Sequence, residues 1–260
     1  MISKDKTLIE TLPQSLTGLS VIERNTKGMI FVDNQRSPNL MVVWNCCDTA
    51  LVGSESGKIS ENQLSRFLFE TFLPLAKERD IPFMNFCSSP TVLDKLLAIL
   101  KTMNPRLVKR RFFQADSMLS NTERHNSIEF TAFRINEALL NRHLDNSNVL
   151  RGWVCSFWKD LDSFEKLGGG YALIKGKIII SWCLGVYRFG DRIEVGLETI
   201  KEFRNQGMGL AVSKICVDEF LSSGLVVDWH CDSENFPSLS IATNLGLKEK
   251  MDYEVCKISI

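Results

Sequence analysis

Residues 171–229 combine two kinds of strand connection that force a mixed sheet. Tyr171–Ile174 and Lys177–Leu184 lie on either side of Gly176, a hairpin signal that pairs its strands antiparallel. Arg192–Thr199 is the next strand. A loop follows, then a helix over about Met208–Ser222 closed by Gly224, and then a strand over Leu225–Trp229. A strand–helix–strand crossover of this kind makes Arg192–Thr199 and Leu225–Trp229 parallel. A short helix over Ser238–Asn244 and a last strand over Met251–Ile260 complete the order strand, strand, strand, helix, strand, helix, strand.

The first half has a similar but weaker pattern. Gly28–Asp33 and Asn39–Trp44 read as strands joined by a turn over Asn34–Pro38. Ser60 precedes apolar positions at Leu64, Phe67, Leu68 and Phe72, which predicts a helix start. Pro82–Phe86 predicts a buried strand. Pro90–Leu100 predicts a helix with Val92, Leu93, Leu96, Leu97 and Leu100 on one face, and Arg110–Gln114 a closing strand. The stretch from about 115 to 150 is polar: Asn121–Asn126 is loop-like and Phe133–Leu140 reads as a helix. The sequence therefore divides into an N-terminal α/β lobe over 1–130 and a second domain over 131–260 that begins with a linker.

Composition narrows the function. Thirty-one basic residues balance thirty-one acidic ones, so bulk charge draws the chain to neither nucleic acid nor an anionic membrane, and any anion must be held by a local device. Hydrophobic residues make up 44%, enough for a sizeable core. The eight cysteines show no C-x-x-C spacing and mostly sit in apolar runs, as Cys183 does; they read as reduced, buried hydrophobes. No His/Cys cluster has metal-ligand spacing. The first residues carry no signal-peptide core and no apolar run reaches bilayer length, which together with the cysteines predicts a cytoplasmic protein.

The local device is Arg204-Asn205-Gln206-Gly207-Met208-Gly209, between a strand and a helix. Gly207 and Gly209 let a ligand approach the backbone, and the helix start exposes unpaired N–H groups, so the segment suits a diphosphate. By itself the same pattern also fits a tight strand-to-helix turn. A Walker loop is excluded because no Gly-Lys-Ser/Thr follows, and a dinucleotide fingerprint because the preceding strands form a hairpin.

Arg204-x-x-Gly207-x-Gly209-Leu210-Ala211 resembles the pyrophosphate-binding motif of the GNAT acetyltransferase superfamily. Asn235-x-x-Ser238 followed by Leu245-Gly246-Leu247 is similar to that superfamily's Asn-x-x-Ala … Leu-Gly-Phe ending, and the likeness covers about residues 153–260. Asp228-Trp229-His230-Cys231 ahead of Asn235 resembles the branch of zwittermicin A resistance acetyltransferases, which also carry an N-terminal extension.

The resemblance implies an α/β (α+β) fold: a GNAT-like mixed sheet whose two central parallel strands splay apart. The smaller lobe before it fits either a decayed GNAT-like half or an unrelated α/β cap. The resemblance implies acetyl-CoA as co-substrate, with no metal. Main-chain groups of Leu197 and Thr199 would hold the pantetheine arm, and backbone N–H groups of Gln206, Gly207, Met208 and Gly209, with Arg204 at the rim, would hold the pyrophosphate. Asn235 and Ser238 would lie on the pantetheine side. An N–H near Thr199 would polarise the thioester carbonyl. An amine is mostly protonated at pH 7, so a general base is needed; Glu198, nearest the thioester, is preferred over Glu194, and a solvated or ion-paired strand carboxylate is the competing reading. The tyrosine expected seven residues after Asn235 is replaced by Ala242, leaving Tyr253 on the last strand as a substitute acid. His230 reads as a loop contact, and His125 and His143 carry no assignment.

These residues imply an N-acetyltransferase acting on a small-molecule amine by direct attack. The alternative is a non-catalytic GNAT-fold sensor of an acyl-CoA or other ligand, to which the missing tyrosine lends weight. Acetylation of protein tails ranks lower, because the balanced charge gives no acidic groove. No nucleic-acid or membrane partner is expected, and a homo-oligomer stays open. Gly207→Val is expected to abolish CoA binding with the fold intact; retained affinity would sink the loop assignment.

Overall fold

The computed structural model describes residues 6–54, 59–118 and 129–260. The loop reading of Asn121–Asn126, His125, and much of the segment ahead of Ser60 lie outside the described residues. The chain forms two compact units, Met1–Arg110 with Asp252–Ile260, and Arg111–Met251. The C-terminal residues thus complete the first unit.

The first unit opens with two helices the sequence reading missed, α1 (Thr7–Glu10) and α2 (Ser15–Ile22). The first has a single turn, and the second is buried from Ser15 to Val21, so neither shows an amphipathic period. β1 (Met29–Val32), β2 (Leu40–Trp44) and β3 (Thr49–Ser54) form an antiparallel meander. Ser60 and Gln63 form a reciprocal capping box at α3 (Glu61–Phe67). A π turn over Leu68–Phe72 joins α3 to α4 (Leu73–Glu78). Pro74 has no N–H for the carbonyl four residues back, and the wider turn absorbs that break. β4 (Phe83–Ser88) runs parallel to β3, and α5 (Pro90–Ile99) follows. Phe72 anchors this core, edge-on to Trp44 at 5.2 Å and packed on Phe86 at 5.5 Å.

β5 (Arg106–Ala115) leads into the second unit, where β6 (Thr131–Arg134) pairs antiparallel with the later β7. The helix expected over Phe133–Leu140 is therefore half strand. Phe133 and Arg134 sit in the β6 ladder, and the Asn136 side chain accepts from the Leu139 N–H, so α6 begins only at Glu137 and ends at Leu140. α7 (Ser147–Phe157) and α8 (Leu161–Leu167) come next, then β7 (Gly170–Lys175), β8 (Ile178–Phe189) and β9 (Arg192–Thr199) as the expected meander. α9 (Met208–Ser222), β10 (Val226–Asp232), α10 (Phe236–Leu245) and β11 (Lys248–Ser259) complete the chain. The strand order within this unit is β5-β10-β9-β8-β7-β6; β11 lies beside β4 through its C-terminal residues in the first unit, antiparallel from Phe83↔Ser259 to Phe86↔Cys256. The fold is the expected mixed α/β, GNAT-like class.

β9 and β10 are parallel in register only from Arg192↔Val226 to Glu194↔Asp228. β9 continues to Thr199 and β10 to Asp232, so both strands run on past their last shared pair. A three-residue clamp sits at that point. Asp228 is fully buried; it accepts from Gln114 Nε2 at 2.8 Å and from Arg192 Nε at 3.1 Å, and it is ion-paired with the Arg192 guanidinium. Burial pushes the Asp228 carboxyl up, and Arg192 and Gln114 pull it part of the way back.

Because its folded-state pKa is raised, the native state binds the Asp228 proton more tightly than the unfolded chain does. Its contribution to stability is full below the unfolded carboxylate pKa and is lost as pH rises through the raised value. Arg192→Met strands a buried carboxylate and is expected to cost about 2–4 kcal/mol at neutral pH, below the fully buried case because Arg192 is partly exposed. The deficit should shrink as pH falls from neutral and the carboxyl, its pKa raised by burial, takes its proton. Urea unfolding of both proteins across that range checks it; a pH-independent gap would contradict the clamp.

Candidate functional site

Three properties meet at the end of β9. The first is orientation. Ile193, Val195 and Leu197 pack with α9 in the core of this unit, which puts Glu194, Gly196 and Glu198 on the opposite face. The one irregularity in the β8–β9 ladder falls at Val186 on β8, so β9 keeps its alternation and its two carboxylates share a face. Aromatic rings cover that face. Trp153 of α7 stands edge-on to Trp182 at 5.8 Å, and a Cβ on Gly196 would lie 3.2 Å from Trp153 and 2.7 Å from Val186. Glu194 is buried opposite Tyr187; Glu198 is opposite Trp182 and partly exposed.

The second property is an open main-chain edge. The Ile200 N–H donates to Ile180 on β8 at 3.0 Å. By alternation, the main-chain groups of Leu197 and Thr199 point the other way, toward β10, in the stretch where β10 no longer pairs with β9.

The third is the loop. Asn205 and Gly207 take left-handed φ of 58° and 81°, and Gly207 is the N-cap of α9. α3, α6, α8 and α10 each start under a capping side chain, from Ser60, Asn136, Asp160 and Asn235. Gly207 has none to offer, the first turn of α9 holds no acidic residue, and its ladder begins only with Ala211 N–H to Gly207 C=O at 3.0 Å. The N–H groups of Met208, Gly209 and Leu210 thus face outward without a helical acceptor. This cradle fits an anion. Gly209 lets the helix start close in, since a Cβ there would lie 3.0 Å from Ile241, 3.3 Å from Thr199 and 3.4 Å from Leu197.

The other expected residues have structural partners. Arg204 spans the loop, with Nε to the Thr199 carbonyl at 2.9 Å and Nη2 to Glu198 at 3.1 Å. Gln206 donates through its side chain to the Glu202 carbonyl at 2.8 Å, and the Met208 side chain is buried. Asn235 caps α10 by accepting from the Ser238 N–H at 3.2 Å, and Ser238 Oγ accepts from the Trp229 indole at 3.0 Å. Ala242 is fully buried in the core of this unit, and Tyr253 is buried on β11 in the segment that belongs to the first unit. His230 stacks on Phe112 at 4.4 Å. Among the described residues, no group of three or more His, Cys, Asp or Glu is placed to hold a metal ion, and no helix is long and apolar enough to cross a membrane.

Sequence reasoning missed Gln114, Arg192 and Trp153. A signal existed for the pair: Asp228 is a lone acid in an apolar strand, and Arg192 is the one cation in the parallel strand predicted beside it. The strain at Gly207 also changes the valine test, because a β-branched residue at φ 81° disturbs the helix start itself. Ser238→Ala gives a cleaner check on how α10 is held. It leaves the buried Trp229 N–H without its acceptor, at about 1–3 kcal/mol, and should lower Tm by several degrees; an unchanged Tm would remove that bond from the account.

Comparison with known proteins bears on family and fold. A family model described as GNAT acetyltransferase matches residues 6–256. The Bacillus subtilis (strain 168) protein named uncharacterized N-acetyltransferase YdfB is 21% identical over 237 residues, covering 91% of this chain and 87% of its own. Among solved structures, a GCN5-related N-acetyltransferase-like protein from Streptococcus suis 89/1591 superposes with TM-score 0.68 at 16% identity, over 97% of this chain and 96% of that one. A tandem GNAT protein from the clavulanic acid biosynthesis pathway gives TM-score 0.58 at 12% identity, over 100% and 97%. With the family model spanning nearly its whole length, the chain belongs to the GNAT acetyltransferase family and is an N-acetyltransferase.

Proposed function

We propose that this enzyme moves an acetyl group from acetyl-CoA to the amine of a small molecule by direct attack. The observation that carries this reading is the gap between β9 and β10 after Glu194↔Asp228, with the uncapped start of α9 at the same end of β9. The N–H groups of Met208, Gly209 and Leu210 would hold the diphosphate, joined by Gln206, Gly207 and the Arg204 guanidinium. Leu197 and Thr199 would pair with the pantetheine amides as an added strand does. When bound, acetyl-CoA supplies the thioester carbon that the amine attacks. The Thr199 N–H would donate to the carbonyl oxygen as it gains charge, and Glu198 would take the amine proton, with Glu194 behind it on the same face. The aromatic cover from Trp153 and Trp182 favours an acceptor with an apolar body over an extended basic tail.

The run Asp228-Trp229-His230-Cys231 ahead of Asn235 supports a position near the zwittermicin A resistance branch. The first 130 residues fit a decayed GNAT-like half: β1–β4 repeat the antiparallel, antiparallel, parallel order of β7–β10. β3 and β4 stay paired from Thr49↔Asn85 to Val52↔Ser88, and α1 lies so close over β3 that a Cβ on Gly53 would meet the Leu8 carbonyl at 2.2 Å. Among the described residues of that half, the β3–β4 pair shows no run-on of both strands like that of β9 and β10. The tandem GNAT likeness supports two related halves. A cytoplasmic setting suits the eight unbridged cysteines.

The test is thiol release from saturating acetyl-CoA across a panel of small amines. Amine-dependent release is expected, with Glu198→Gln lowering kcat by about 10²- to 10⁴-fold. Tight CoA binding with only background hydrolysis for every amine would overturn the enzyme reading in favour of a sensor.

A further inference from the structure

Both groups that Thr199 turns toward β10 are already bonded. Its N–H donates to Glu198 Oε1 at 2.9 Å, and its carbonyl accepts from Arg204 Nε at 2.9 Å. The ring is closed by Arg204 Nη2, which donates to the same Glu198 oxygen at 3.1 Å. One carboxylate oxygen therefore holds both the N–H assigned to the thioester and the guanidinium assigned to the diphosphate. Behind the ring, Ser181 fixes the strand from the β8 side: its Oγ donates to the Glu198 carbonyl at 2.9 Å and shares a 2.8 Å bond with Thr199 Oγ1. The strand is anchored, and only the outward side chains can change partner.

We propose that Glu198 and Arg204 form an internal latch across Thr199 which competes with the acyl donor, and that Arg204 is the positioning residue that withholds the Glu198 carboxylate until a diphosphate draws it away. This rests on the reading of the β9–β10 gap as the CoA slot. The exchange balances bond for bond. Arg204 leaves one carboxylate and one neutral carbonyl for a dianionic group, the stronger partner for a guanidinium. The Thr199 carbonyl is released to accept from a pantetheine amide. The Thr199 N–H passes from the carboxylate to the thioester oxygen. Glu198 Oε1 loses both donors, and its lone pairs become available for the amine proton. Both latch side chains are more than a third exposed, 56% for Arg204 and 37% for Glu198, so water weakens the ion pair enough for a ligand to open it.

The latch makes a prediction opposite in sign to a simple binding role for Glu198. Coenzyme A is titrated calorimetrically into the full chain and its variants. Glu198→Gln and Glu198→Ala should bind CoA about two- to fivefold more tightly than wild type, the size of an exposed ion pair removed. Glu202→Gln deletes an exposed charge from the same loop without touching Arg204 and should change affinity little. Arg204→Ala should weaken binding, and Glu198→Gln added to it should give a smaller gain than in wild type, since only the Thr199 N–H contact then remains to be released. Wild-type-like or weaker CoA binding in both Glu198 variants would overturn the latch, as would an undiminished gain in the Arg204→Ala background or an equal gain in Glu202→Gln. A wild-type chain that fails to bind CoA would overturn the donor-site reading itself, and the latch with it.

Discussion

The buried Asp228 carboxylate, held by Arg192 and Gln114, is the interaction on which the site depends. It draws on three strands, β9, β10 and β5, at the last level where β9 and β10 remain in register. Below it the two strands are bonded; beyond it they run on unpaired. An ion pair in a sheet interior is an expensive way to gain stability, since desolvation offsets most of the Coulomb attraction. It does fix position: a carboxylate with three donors has one satisfactory place to sit. That placement coincides with the point where the open main-chain edge of β9 begins.

The residues of the proposed site lie within a few positions of that edge. Alternation along β9 sends Leu197 into the core under α9 and Glu198 to the opposite face, while the main chain of Thr199 faces the gap. The loop then turns through two left-handed residues and starts a long helix on a glycine, with its first N–H groups uncapped. Four other helices in the chain spend a side chain on that task. In the first unit the same pairing order recurs, and among the described residues its parallel pair stays bonded to Val52↔Ser88 while α1 rests on Gly53.

Much of the second half was legible in the sequence. The bounds of β9 and α9 match the expected Arg192–Thr199 and Met208–Ser222, because the two-residue alternation of β9 and the glycines at each turn define them locally. Ser60 and the helix at Pro90 were legible for the same reason, being set by a cap and a fixed φ. The misses have a common cause. α2 is buried on all sides and so shows no period, α1 is one turn long, and Phe133–Leu140 splits because a β6–β7 ladder outweighs helical spacing. Local pattern is a weak guide where tertiary partners decide.

The sequence by itself determined the mixed sheet and the glycine-rich strand-to-helix turn at Arg204–Gly209, since glycine freedom, helix starts and strand alternation are properties of neighbouring residues. The tertiary structure decided the rest. It completed the first unit with the C-terminal strand, set Asp228 against Arg192 and Gln114, turned Ser238 to the Trp229 indole, and closed Glu198 and Arg204 over Thr199. Those choices join groups from one to 114 residues apart, and a bond's partner depends on which groups the packed core brings within reach, which no local pattern specifies.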